Sequence, residues 1–132
     1  MTKQSDLLKA FTGLDKLNPE AVMLSETSLS NVTEWFDTGC MVLNAILSGS
    51  LHKGIPKGRI TGFSGPSMTG KTFIINKILA SAQKAGVMPV IFDTEVAIDE
   101  TSTKGVGLDP ENVKYVPVNT VGECRNQIFT LL

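Results

Sequence analysis

"GFSGPSMTGKT", residues 62–72, decides how the rest of the chain reads. Arg59–Phe63 has the character of a short strand, and it runs into a glycine-bounded loop followed by a lysine and a threonine. Gly65, Gly70, Lys71 and Thr72 fit the phosphate-binding pattern G-x-x-x-x-G-K-[ST]. Glycines let the backbone fold tightly enough to aim successive N–H groups at one anion, and the positive end of the helix behind them adds to the attraction. Gly65, Pro66, Ser67, Met68, Thr69, Gly70, Lys71 and Thr72 are therefore the candidate nucleotide-binding residues. Lys71 is expected to reach the β and γ phosphates of ATP, and the Thr72 hydroxyl to take one place on Mg²⁺. A chance glycine-rich turn has the same composition, but it has no reason to fall between an apolar strand and a helix. The loop alone does not separate an ATPase from a kinase or a GTPase.

Outward from the loop, a repeated grammar appears. Lys71–Ala85 reads as an amphipathic helix with Ile74, Ile75, Ile78 and Leu79 inward, ended by Gly86. "VMPVIFDTE" (87–95) is a continuous apolar strand finishing in acids, the pattern of a strand buried on both faces. Val96–Gly107 is a polar loop or irregular helix, "NVKYVPV" (112–118) a third strand, and Thr120 caps a final helix. Alternating strands and helices imply an α/β fold, a parallel sheet with right-handed crossovers and flanking helices. Upstream, Ser5 can cap a short helix to Thr12 with Leu7, Leu8 and Phe11 on one face, and Pro19 could begin another. "NVTEWFDTG" (31–39) reads as a strand, "CMVLNAILSGS" (40–50) as a helix stopped at Gly49, and "LHKGIPKG" (51–58) as a turn.

Composition excludes several classes. The chain has 132 residues, enough for one core of ordinary size, and its 42% hydrophobic and 19% charged content is globular. A formal charge of −1 supplies no global positive field for nucleic acid or anionic lipid, so binding either needs a local basic surface. Lys53, Lys57 and Arg59 form the one such cluster, around a turn. Cys40 and Cys124 read as small buried thiols of a reduced, intracellular protein. Met1–Ala10 is too polar for a signal peptide, no apolar stretch is long enough to cross a bilayer, and no Cys/His spacing suggests zinc.

"VIFDTE" narrows the chemistry. A carboxylate at the carboxyl end of a parallel strand lies on the sheet edge where ligands bind. Glu95 is the candidate to polarise an attacking water, while Asp93 could orient a neighbour or bond the backbone. Both acids could equally end a strand in solvent.

Four stretches together resemble the RecA-type recombinases, and most closely their phage UvsX branch: "DTGCMVLNAILSGSLHKGIPKGRIT" (37–61), "GPSMTGKT" (65–72), "VIFDTEVAID" (90–99) and "GVGLDPENVKYVPVNTVGECRNQIFTLL" (105–132). The resemblance implies a P-loop NTPase of the RecA-like type, with 1–30 as an N-terminal arm or short helical region and 31–132 as the amino-terminal part of the ATPase core. The Leu7, Leu8 and Phe11 face then either docks on a neighbouring subunit or is an ordinary core face. It puts Glu95 at the position of the catalytic glutamate beside Lys71, and Asp99 where the family holds the adenine. Ser102 stands where the family usually has a base-stacking tyrosine. The implied function is a DNA-dependent ATPase of homologous recombination and repair, using ATP and Mg²⁺. Its implied partners are single-stranded DNA and further subunits in a filament, with no membrane, in the cytoplasm (of a bacterial host if the protein is phage-encoded).

The resemblance also implies a deficit. The family's magnesium-organising aspartate, its two DNA-binding loops and a polar nucleotide sensor belong to later strands, two of which lie between the loop strand and the "FDTE" strand. The sheet is thus expected to be incomplete in this sequence, needing a complementing C-terminal polypeptide or neighbouring subunits, with the isolated chain inactive. A nucleotide-binding or filament-capping fragment that hydrolyses nothing is the alternative. A small P-loop kinase is a weaker one, since only Arg59 and Arg125 could serve an arginine-rich lid.

Overall fold

The structure is a computed structural model, and it describes residues 16–19, 21, 22, 24, 27 and 31–131. The helix expected over Ser5–Thr12, with Leu7, Leu8 and Phe11, lies outside the described residues. Contacts divide the chain into two units, Met1–Val32 and Thr33–Leu132. Of the first, the Ala21 N–H closes a turn on the Asn18 carbonyl at 3.0 Å. The second contains the elements that follow.

Strand β1 (Trp35–Phe36) pairs antiparallel with β2 (Ile55–Pro56), Trp35 opposite Pro56 and Phe36 opposite Ile55. Helix α1 (Met41–Ser48) lies between them in sequence and stops where Gly49 turns left-handed at φ 74°. The "LHKGIPKG" segment is therefore more than a turn, because its Ile55 and Pro56 complete a hairpin. The hairpin is locked by Asn44, only 1% exposed. Asn44 Oδ1 accepts from the Thr38 N–H (3.0 Å) and hydroxyl (2.7 Å). Its amide donates to Asp37 Oδ1 (2.7 Å) and the Leu51 carbonyl (2.8 Å). These bonds satisfy a buried amide in full, as a low-dielectric site demands. They also hold the Asp37 pKa below the usual value, the Asn44 amide first and the Gly39 N–H second. Gly54 closes over this knot so tightly that a Cβ there would stand 2.3 Å from the Phe36 carbonyl oxygen.

Helix α2 (Lys71–Lys84) follows the loop, and its C-terminal half makes the core. Ala80 packs with Val106 and Leu108, and Leu79 and Val113 lie against them. Gln83 ties the helix to the next turn: its Nε2 donates to the Asp109 and Asn112 carbonyls (2.9 and 3.0 Å), and its Oε1 accepts from the Asp109 N–H (2.9 Å). The inward face differs from the expected stripe. Ile78 is buried, but Ile75 is 37% exposed, and Asn76 is buried with its Oδ1 unpaired among the described residues. Ile75 faces a cleft rather than the core.

Strand β3 (Val90–Asp93) pairs in parallel with β4 (Lys114–Pro117), in the register Val90–Lys114 to Asp93–Pro117. The crossover between them carries the short helix α3 (Glu100–Gly105) and a 3₁₀ turn (Pro110–Asn112). Helix α4 (Val121–Leu131) ends the described chain, and the Thr120 hydroxyl accepts from the Glu123 N–H at 3.1 Å, as a cap should.

An α/β architecture is thus present, with β3–β4 as its parallel pair. Two expected features are corrected. Arg59–Phe63 forms no strand among the described residues: it pairs with neither two-stranded sheet, and Ile60 is fully exposed. A strand needs a neighbour for its N–H and C=O groups, and here β3 has β4 and β1 has β2. Nor is β3 buried on both faces, since of its four residues only Asp93 is buried. With a single neighbouring strand, too little surrounds the rest to cover them.

Gly54→Ala should lower stability by about 2–4 kcal/mol, because the new methyl meets backbone and a locked side chain rather than a mobile one. Gly62→Ala, with open space around it, should change it by no more than about 0.5 kcal/mol. Urea denaturation midpoints of the two variants against the parent check this.

Candidate functional site

The loop 65–70 turns twice through left-handed backbone, at Met68 (φ 63°) and Gly70 (φ 85°). Gly70 takes that conformation freely, whereas Met68 carries it at a cost of about 1 kcal/mol or more and leaves its side chain wholly exposed. Gly70 is also the N-cap of α2, and no side chain caps the helix there. The first-turn amides are thus left without a side-chain acceptor, at the positive end of a helix. Thr69 braces the loop by donating to the Pro66 carbonyl at 2.9 Å.

Lys71 folds back over this loop. Its Nζ donates to the Gly65 carbonyl (3.0 Å) and the Pro66 carbonyl (2.7 Å). Both bonds are exposed and readily exchanged for a stronger acceptor such as phosphate. Lys71 and Thr72 line a cleft of ≈ 710 Å³ together with Ser67–Gly70. The opposite part of its lining is Ile91–Glu95 and Ile98. The structure thus brings Ser67–Thr72 and Glu95, though not Gly65 and Pro66, into the lining of one cleft of the size that ligands of nucleotide dimensions occupy.

Asp93 organises the acidic wall. It is 8% exposed, so it does not end the strand in solvent. Its Oδ1 accepts from the Glu95 and Val96 N–H groups (2.9 and 3.1 Å), and its Oδ2 from those of Ala97 and Ile98 (3.0 and 3.3 Å). The Tyr115 hydroxyl donates to Oδ2 at 3.1 Å. Burial alone would raise the Asp93 pKa, but the N–H groups of Glu95, Ile98 and Ala97 and the Tyr115 hydroxyl together bring it below the usual carboxylate value. Tyr115 responds in the opposite sense: burial first, then the neighbouring carboxylate, raises its pKa. Within this loop Val96 stands at φ 53°, a strained conformation for a β-branched residue.

Asp99 lies elsewhere. Its carboxylate caps α3, accepting from the Ser102 N–H at 2.6 Å, and that bond holds its pKa down. It lines a second cavity of ≈ 400 Å³ with Glu100, Thr103 and Tyr115. Ile91 and Ile98 border both cavities. Tyr115 escaped the sequence reading; its signal was an aromatic in "NVKYVPV", two residues short of the register partner of Asp93 and so on the same face.

The residues present suit a nucleotide's phosphates: uncapped helix amides, a lysine held only by exposed carbonyls, and a wide cleft. No group of three or more His, Cys, Asp or Glu side chains able to hold a metal occurs among the described residues. Cys40 is exposed and Cys124 half-buried, both as free thiols, which corrects the expectation that they are buried. Cys40 falls outside, at the extended residue preceding α1. No helix among the described residues is long and apolar enough to cross a membrane.

Comparison with known proteins gives the same direction. The model of the RecA N-terminal domain matches residues 7–132. The Protein RecA of Aquifex aeolicus is 35% identical over 78% of this chain and 34% of its own length. That of Clostridium botulinum is 39% identical over 68% of this chain and 24% of its own length. The mitochondrial DNA repair protein recA homolog 3 of Arabidopsis thaliana is 37% identical over 74% of this chain and 21% of its own length. The chain therefore spans about a third or less of the curated relatives it matches.

Because the Asp93 pKa is lower folded than unfolded, its contribution is present above the unfolded value of 3.8 and is lost as pH falls through the folded value. Stability should hold from neutral pH down to about pH 4 and fall below it. Asp93→Asn should start lower and show a shallower acid decline. Urea midpoints from pH 7 to pH 2.5 measure both slopes.

Proposed function

Since this chain belongs to the RecA family, matching its N-terminal domain over residues 7–132, we propose that it carries the ATP-binding part of a DNA-dependent ATPase of homologous recombination and repair. One observation carries the proposal: Lys71 and Thr72, behind an uncapped helix N-terminus, line the same cleft as Glu95. Residues Gly65–Thr72 would cradle the phosphates. Lys71 would exchange its two carbonyl partners for phosphate oxygens, and Thr72 would hold the magnesium ion, which supplies charge neutralisation on those oxygens. Glu95 would orient and deprotonate the attacking water, since its backbone N–H is fixed by Asp93 while its side chain is exposed to the cleft.

Asp99 would serve the base, and single-stranded DNA and further subunits would be the partners, as the family resemblance implies. One observation supports pairing by further strands supplied by a complementing polypeptide: the edge of β3 away from β4 carries no strand among the described residues. The finer assignment, to the phage UvsX branch, rests on the four quoted stretches and would place the protein in the cytoplasm of an infected bacterium. A nucleotide-binding fragment without turnover is the second reading, favoured by β3 having β4 as its one neighbour among the described strands.

Binding of a fluorescent ATP analogue with Mg²⁺ should weaken about tenfold or more in Lys71→Ala, which loses charge-assisted bonds to phosphate. Glu95→Gln should keep that binding and lower ATP turnover, measured with single-stranded DNA, by about 100-fold. Binding insensitive to Lys71→Ala would sink the proposal. Binding without turnover in the parent chain, even with single-stranded DNA, would select the second reading.

A further inference from the structure

Five donors meet the Asp93 carboxylate, and they differ in kind. Four are backbone N–H groups two to five residues further along the same segment. These bonds fold residues 93–98 on themselves and tie the carboxylate to no other element. The fifth, the Tyr115 hydroxyl, comes from 22 residues away on the neighbouring strand. Among the described residues it is the one side chain that ties this carboxylate to another element. The register makes the contact possible: Ile91 stands opposite Tyr115, and Asp93, two residues on, shares that face of the sheet.

The carboxylate is also constrained in rotation. Oδ1 serves Glu95 and Val96, while Oδ2 serves Ala97, Ile98 and Tyr115. Only one orientation about Cβ–Cγ satisfies all five, and the hydroxyl fixes that orientation against the sheet. The segment needs such fixing, because Val96 holds a left-handed backbone that relaxes if its bonds loosen.

We propose that Tyr115 is the positioning residue of Glu95: through its hydroxyl bond to Asp93 it anchors the 95–98 segment in the cleft, so that its loss lowers turnover while leaving nucleotide affinity unchanged. The turnover clause rests on the nucleotide reading above; the anchoring clause does not. Tyr115 itself lines the second cavity and is not among the residues lining the phosphate-loop cleft, which it reaches through Asp93.

Tyr115→Phe removes the hydroxyl and keeps the ring. Hydrogen exchange on the full chain, without nucleotide, should quicken about tenfold at the amides of Glu95–Ile98 and stay unchanged across α2 and the β3–β4 ladder. Asp93→Asn should quicken the same amides, and the double variant should be no worse than Asp93→Asn alone. Where turnover is measurable, Tyr115→Phe should lower it about tenfold with the ATP-analogue Kd unchanged. Unchanged exchange at 95–98 would overturn the proposal. Exchange quickened equally over α2 and both strands would also overturn it, making Tyr115 an ordinary packing residue. A fall in affinity matching the fall in turnover would do the same. Lys71→Ala, read by analogue binding, separately decides the nucleotide reading, so its failure is distinguishable from failure of the anchor.

Discussion

A nearly buried carboxylate with five donors is the constraint on which the candidate site depends. An isolated carboxylate at this depth is strongly disfavoured, and Asp93 is tolerable because the backbone N–H groups of Glu95–Ile98 and the Tyr115 hydroxyl solvate it in place of water. The converse holds with equal force. Residues 94–98 have no ladder partner, and their amides would otherwise have only solvent. The carboxylate is the acceptor that gives this exposed segment a definite path. The same bonds offset the strain at Val96, which costs about 1–3 kcal/mol for a residue of its type. Glu95 is thereby presented at the end of β3 on a stretch shaped by the acid two residues before it.

The facing wall of the cleft is built on the opposite principle. Where Asp93 satisfies amides, the start of α2 leaves them without a side-chain cap, and Gly70 at φ 85° supplies the turn without supplying an acceptor. Lys71 rests on the Gly65 and Pro66 carbonyls, so its charge is held by neutral oxygens and not by a carboxylate. An anion entering the cleft would find both donors unmatched by any negative partner among the described residues. The helix is held at its far end, by Gln83 and by the packing of Ala80 on Val106 and Leu108, so its N-terminus is presented on a fixed axis.

Much of this was legible in the chain because it depends on local chemistry. The loop pattern, the stop at Gly49, the capping Thr120 and the helix Lys71–Lys84 all follow from residues within a turn or two. What escaped depends on neighbours distant in sequence. Arg59–Phe63 has strand character but no strand beside it among the described residues, and pairing is a property of two segments. Ile75 fits the apolar stripe by spacing, yet it lines the cleft, while Asn76 takes an inward place that polarity would deny it. The hairpin of Trp35–Phe36 with Ile55–Pro56 was hidden by the proline and by shortness, and it is specified by the Asn44 amide and by the closeness of Gly54 instead. For Asp93 the sequence left orientation, backbone bonding and solvent all open, and burial with a tyrosine from β4 decides among them.

The position of Asp99 bears on how a nucleotide could lie. Its carboxylate is occupied in capping α3, and it borders the second cavity rather than the cleft that holds Lys71. Ile91 and Ile98 border both, so the two hollows meet across apolar side chains carried by β3 and by the segment that Asp93 shapes. A ligand with its phosphates on Gly65–Thr72 would have to pass Ile98 to bring its other end near Asp99. The N–H of Ile98 is itself bonded to Asp93 Oδ2, at 3.3 Å the longest of the four backbone bonds to that carboxylate. That carboxylate therefore shapes one segment that carries both Glu95, in the lining of the first cleft, and Ile98, at the border of the second cavity.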